Sequence, residues 1–214
     1  MMTLVCFALK EEAVPFHRVA ASHPGVITLI VGIGRENAEK AIRKFLALHT
    51  PQLVLTCGFA GGLNPDLKIG DVVFECGMRN AECGIGEERL LAAGAKSAKF
   101  FCADRIATTV AEKHALRAET GADVVEMESA AIHAVCAERG IPCATVRVIS
   151  DTANEDLPLD FNALAKPDQS LDFGKLAWAI AKSPGKIGAL IGLQRKTRLA
   201  ALRLAEVLDK VIVR

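Results

Sequence analysis

The sequence predicts an α/β fold of three layers, with helices covering both faces of a largely parallel sheet. Apolar runs of four to eight residues recur along the chain, too continuous for strands with one face in water. Segments with helical spacing separate those runs, the alternation that builds parallel sheets. The 214 residues suit a single domain, enough to bury about 70% of the surface of the unfolded chain.

The opening MMTLVCFAL supplies a first strand, VCFAL, which Lys10, Glu11 and Glu12 interrupt. Lacking a basic start and an A-x-A-like site, it is expected to be a strand and not a signal peptide. VITLIV is a second buried strand, followed by a helix over 36–48, the strands LVLTC, DVVFEC and AKFFCA, and a helix over 107–119. DVVEM and ATVRVIS are the last strands. Between them runs a helix over 129–139, closed by Gly140 and by Pro142 two residues on. Residues 124–150 are therefore expected to form a right-handed βαβ crossover. Glu126, Glu128, Ser150 and Asp151 then fall at the carboxyl ends of strands, where open α/β sheets bind ligands.

From Lys182 onward the chain carries eight Lys or Arg against two acids, a local +6 where the whole sequence is +1. Residues 183–214 are set apart from the 1–182 domain as a basic amphipathic helical extension, with Ser183–Pro184 as its start. Two readings stay open: a helix packed on the domain with a solvated basic face, or one that meets an anionic membrane surface. No apolar run approaches the ~20 residues needed to cross a bilayer. The balanced composition excludes a disordered chain and points to no nucleic-acid partner. Seven cysteines without a C-x-x-C pair are expected as thiols in a reducing cytoplasm, and five scattered histidines form no metal-ligand spacing.

Two glycine motifs fail as catalytic signatures. In VGIGREN, Gly32 and Gly34 lie between a strand and a helix, but Asn37 replaces the third glycine of a dinucleotide turn, leaving only a backbone turn near some ligand. GFAGG, from Gly58 to Gly62, has the spacing of a nucleophile elbow with Ala60 where serine would stand, which excludes serine hydrolase chemistry there. What remains is a set of acids at strand ends: Glu11, Glu12, Glu126, Glu128 and Asp151. If the strand continues through Glu128, its period of two puts Glu126 and Glu128 on one side; if a helix starts there, they diverge. Such acids suit a reaction that builds positive charge, glycosidic cleavage among them, but equally a metal site or an acidic rim.

VVEMESAAIHAVCAERGIPCATVRVISDTA, CGFAGGLNPDLKIGDVV and FALKEEA together resemble the nucleoside phosphorylase and nucleosidase superfamily over roughly residues 5–155. The SPGKIGALIGLQRKTR tail and RVISDTANEDLP are more similar to the hopanoid-associated phosphorylases, proposed to remove adenine from adenosylhopane. The resemblance implies a three-layer α/β/α sandwich around a mixed sheet, assembled as a homodimer or larger homo-oligomer. It implies an enzyme that cleaves the N-glycosidic bond of a purine nucleoside. Asp151 would protonate the purine at N7, Glu128 would hold the ribose hydroxyls, Met127 would lie under the sugar, and Glu12 would activate the attacking water. Ala60 and Gly61 would line the base pocket, with Glu126 just behind. An aromatic that stacks on adenine in the nucleosidases falls near Arg105, and the phosphorylase arginine and serine are replaced by Thr56 and Phe59. Gly34 and Ser150 complete the expected binding set. No cofactor is expected, inorganic phosphate is a candidate co-substrate, and hydrolysis and phosphorolysis stay equally open. A non-catalytic nucleoside- or lipid-binding protein and a metal-dependent hydrolase are the competing readings.

Overall fold

The structure is a computed structural model that describes residues 2–76, 86–164, 166 and 172–212; Cys83 lies outside them. In chain order the strands are β1 (Thr3–Phe7), β2 (Val26–Ile30), β3 (Leu53–Gly62), β4 (Val72–Cys76), β5 (Lys96–Ser97), β6 (Phe100–Cys102), β7 (Val124–Glu126) and β8 (Cys143–Asp151). The helices are α1 (Lys10–Ala21), α2 (Arg35–Leu46), α3 (Glu87–Ala92), α4 (Val110–Thr120), α5 (Ser129–Glu138), α6 (Phe161–Leu164), α7 (Phe173–Lys182) and α8 (Ile187–Ile212).

The strands join one mixed sheet in the order β2-β1-β3-β8-β4-β5. β1 pairs parallel with β2 and β3, and β3 pairs parallel with β8, while β4 runs antiparallel to β8. β1 shows how sequence makes the layers. Its pleat sends Val5 and Phe7 into a cluster with Phe16 of α1 and Leu204 and Leu208 of α8, and Leu4 and Cys6 into a second cluster with Ile42 of α2 and Ile132 of α5. A strand buried on both faces reads as an unbroken apolar run, as VCF does. The three-layer α/β/α architecture with a mixed, mostly parallel sheet is thus the one expected.

Three elements depart from expectation. α1 was not legible, since Pro15 sits inside it and a proline interior to a helix removes a backbone donor. β3 continues beyond LVLTC through all of GFAGG. The expected βαβ crossover over 124–150 does not form: β7 pairs antiparallel with β3 at Gly61 and Gly62, whereas β8 runs parallel to β3. β7 joins β3 beyond the stretch paired with β1, so its direction is set by its parallel partner β6 and the α4 connection between them. The end of α5 is as read, with Gly140 left-handed at φ 64°.

α8 has two halves. Ala200, Ala201, Leu204, Ala205, Val207, Leu208 and Val211 are buried, most of them against α1 and the sheet, so this half of the basic extension belongs to the core. Its first half exposes Ile187 and Ile191; Trp178 of α7 is exposed too, with Lys182 Nζ 3.8 Å from its ring centroid. No helix among the described residues is long and apolar enough to cross a membrane. Cys6, Cys57, Cys102, Cys136 and Cys143 are free thiols, but Cys76 is disulfide-bonded, a departure from the expectation of thiols throughout.

Candidate active site

The glycines of GFAGG are explained by what crosses them. At Gly58, φ is +143°, and an added Cβ would stand 2.6 Å from Arg147 Nη1 and 2.8 Å from Glu12 Oε1. Only glycine lets these two side chains cross the strand there. Glu12, in the first turn of α1, accepts from the backbone N–H of Leu9 at 2.9 Å and of Phe59 at 2.8 Å. Burial raises its carboxyl above the ordinary range, outweighing the pull of Arg147 and of those two N–H groups. A carboxylate raised in this way is a stronger base for taking a proton from a neutral nucleophile.

Arg147 is the hub, and its role was missed in the sequence. It lies fully buried in β8, where nine consecutive residues are buried. Its guanidinium donates to the Cys57 carbonyl at 2.9 Å, Thr56 Oγ1 at 3.2 Å, Glu126 Oε2 at 2.5 Å and Glu128 Oε2 at 3.2 Å. The available signal was an arginine within the apolar run ATVRVIS, since a buried charge needs partners.

Glu126 and Glu128 follow neither of the two courses left open. β7 stops at Glu126 and α5 starts at Ser129, so Glu128 occupies the position before the helix, yet both carboxylates reach Arg147. Glu126 accepts from Glu128 N–H, Ser129 N–H and Ser129 Oγ as well as from Arg147, which leaves it committed to holding the turn. Burial alone would raise its carboxyl; Arg147 and the Ser129 donors reverse that and hold it low. Glu128 accepts from the Gly34 N–H at 2.9 Å, reaching the VGIG turn where Gly34 has φ 85°. Burial first, and then the neighbouring Glu126 charge, push Glu128 up to about 7.

Asp151 ends β8 in a different setting. Its Oδ1 accepts from Ser150 Oγ at 2.7 Å, and its Oδ2 forms an ion pair at 2.6 Å with Lys113 of α4, which is fully buried. A Cβ on Gly61 would lie 3.3 Å from Asp151 Oδ2, and one on Gly62 would lie 3.2 Å from the Asp151 carbonyl. Gly58 and Gly61 are three residues apart on one strand, so the Glu12–Arg147 group and Asp151 border β3 roughly 10 Å apart.

Met127 and Ala60 are buried beside these groups, and Ser150 Oγ also reaches the Ala60 carbonyl at 3.3 Å. Phe59, half-buried, contributes its N–H to Glu12. Arg105 is exposed, pairs with Glu112, and lines a hollow with Ala103, Ala107 and Leu116. Among the described residues no group of three or more His, Cys, Asp or Glu is placed to hold a metal ion.

The Phosphorylase superfamily model matches residues 10–77 and 91–181, so most of the chain is covered, and the protein belongs to that enzyme family. Among curated proteins, the 5′-methylthioadenosine/S-adenosylhomocysteine nucleosidase of Shewanella halifaxensis is 27% identical over 172 residues, 64% of this chain and 73% of the relative. The Chromohalobacter salexigens nucleosidase of the same name is 28% identical over 172 residues, 64% of this chain and 72% of the relative. The fold matches the Neisseria meningitidis nucleosidase solved with methylthio-immucillin-A at TM-score 0.69 and 18% identity, covering 99% of this chain and 98% of that one. It also matches the native futalosine hydrolase of Helicobacter pylori at TM-score 0.64 and 19% identity, covering 98% and 97%.

Proposed function

We propose that the protein hydrolyses the N-glycosidic bond of a purine nucleoside, with water rather than phosphate as nucleophile. The observation that carries the choice of water is the crowding of carboxyls around Arg147. Four of its hydrogen bonds are spent on Cys57, Thr56, Glu126 and Glu128, and with Glu12 beside it three carboxyls share one cation. A phosphate dianion entering there would meet repulsion from all three carboxyls, which a single cation they already share offsets only in part, even though its Nε has no partner among the described residues. Water needs only a base and a place.

In this reading Asp151 gives a proton to purine N7 while the bond from C1′ to N9 breaks, its electron pair passing to the base. The sugar becomes oxocarbenium-like, and Glu128 holds its hydroxyls at the position now reached by the Gly34 N–H. Glu12 takes a proton from the water that attacks C1′. Met127 lies under the sugar, Ala60, Gly61 and Ser150 border the base, Glu126 fixes the turn, and Phe59 orients Glu12. The curated nucleosidase relatives and the family resemblance point to 5′-substituted adenine nucleosides, with methylthioadenosine, S-adenosylhomocysteine and adenosylhopane as candidates. A homodimer and a membrane contact through the basic, apolar-tipped start of α8 belong to the same proposal.

Incubation with 5′-methylthioadenosine, with and without inorganic phosphate, tests it. The expected result is free adenine and free pentose at equal rates in both. A pentose 1-phosphate formed only with phosphate would replace hydrolysis by phosphorolysis.

A further inference from the structure

We propose that Lys113 is a positioning residue for the acid that protonates the leaving base, a role that rests on the reading of Asp151 given above. The Lys113 ammonium is fully buried and has three acceptors, one for each N–H: Asp151 Oδ2 at 2.6 Å, the Thr152 carbonyl at 2.8 Å and the Glu155 carbonyl at 2.8 Å. Nothing about that geometry lets the cation swing away. The chain after β8 is wrapped around it, and Glu155 is anchored in turn by the Thr152 N–H at 2.9 Å and by Lys196 of α8. From the other side, α4 delivers Lys113 in its first turn, which Thr109 and Glu112 close with reciprocal hydrogen bonds at 3.2 Å.

Two consequences follow for Asp151. With Oδ2 on Lys113 and Oδ1 accepting from Ser150, the carboxyl group has no rotational freedom, so its remaining lone-pair directions point at a fixed place. Asp151 stands as the carboxylate partner of Lys113, so the proton it delivers is first taken up from solvent as the nucleoside binds; on transfer, the bond between that oxygen and hydrogen breaks and the new bond between N7 and hydrogen forms. The C1′–N9 electron pair goes to the base, and a negative charge is left on Asp151. Lys113 is already in place for the charge that returns to Asp151, so the carboxyl meets N7 in one fixed orientation throughout the step. The proton taken by Glu12 from water and the proton lost by Asp151 are then exchanged with solvent, which closes the balance for one water consumed. Lys113 donates no proton and touches no substrate.

The discriminating experiment compares an ordinary adenine nucleoside with a 7-methylated purine nucleoside, whose base already carries a positive charge and requires no proton at N7. Lys113→Met keeps the aliphatic stem and removes the charge. It is expected to lower kcat on the ordinary nucleoside about 10²-fold with KM within a few-fold, and to lower kcat on the 7-methylated one at least about tenfold less. Equal losses on both would overturn the proposal and leave Lys113 a purely structural tie to Thr152 and Glu155. Should the single variant fail to fold, Lys113→Met combined with Asp151→Asn removes both charges of the buried pair and avoids an uncompensated one. Its kcat on the ordinary nucleoside is expected to match that of Asp151→Asn alone; a further loss of about tenfold would overturn the coupling. If the wild-type protein cleaves neither nucleoside, the reading of the site itself falls, an outcome distinct from equal losses.

Discussion

The two ends of the proposed site balance charge in opposite ways. Around Arg147 three carboxyls converge on one cation, so not all can ionise freely: Glu126 is held low, whereas Glu12 and Glu128 are raised, the latter to about 7. Around Asp151 there is one carboxyl and one dedicated ammonium. The first end raises two of its carboxyls, Glu12 and Glu128, above the ordinary range, which strengthens a group that is to take a proton. The second end is matched charge for charge, which fixes the orientation of the carboxyl proposed to face the base. Burial alone does not distinguish them, since Glu12, Glu128 and Asp151 are all nearly inaccessible. Their partners do.

The largest effects are expected where this contrast is removed. Asp151→Asn deletes the transferable proton and leaves Lys113 without its charge partner; kcat for nucleoside cleavage should fall about 10²–10⁴-fold, measured as adenine release. Glu12→Gln should lower kcat on the same scale, with KM little changed, because the water loses its base while the sugar keeps its contacts.

Gly58→Ala should break the first end mechanically. The strained φ of +143° and the clash with Arg147 and Glu12 are expected to cost about 1–3 kcal/mol of stability in denaturant unfolding, and activity should be lost with it.

A smaller and slower effect is the pH dependence of stability. Glu128 and Glu12 have native pKa values above their unfolded ones, so between the ordinary carboxylate range and about 7 the native state binds more protons than the unfolded chain. Their contribution is fully present below that window and is lost as pH rises through it. Melting temperatures measured from pH 4.5 to 8 should therefore fall less steeply in Glu128→Gln than in the wild type; parallel curves would remove the assignment of a raised Glu128. The smallest effect expected is that of Arg105→Ala. Its exposed pair with Glu112 is worth little, and kcat/KM should change by less than about fivefold.

Much of the frame was readable because it rests on local periodicity. Runs such as VCF and ATVRVIS are mainly apolar, and both proved to be strands buried in the sheet. α5 ended at Gly140 because a left-handed residue is cheap only for glycine. The glycines of GFAGG were legible as a place of close approach, but not what approaches, since Glu12 and Arg147 lie 46 and 89 residues from Gly58 in the sequence. The direction of β7 was misread for a related reason: sequence shows that strand, helix and strand follow one another, not which neighbour each strand finds. Arg147 carried a signal that went unused. Lys113 carried none, being one charge among several on a helix whose buried side is visible only once the chain after β8 folds over it.

By itself, then, the sequence determined most of the strands, the helices α2, α4, α5 and α8, that the sheet is covered on both sides, and which acids stand at strand ends. Tertiary structure alone decided which cation each acid meets. Glu126, Glu128 and Glu12 share Arg147, and Asp151 has Lys113 to itself. The physical reason is range: hydrophobic period acts over a few residues, whereas the protonation of a buried carboxyl is set by whatever charge lies within a few ångströms, however distant that charge is along the chain.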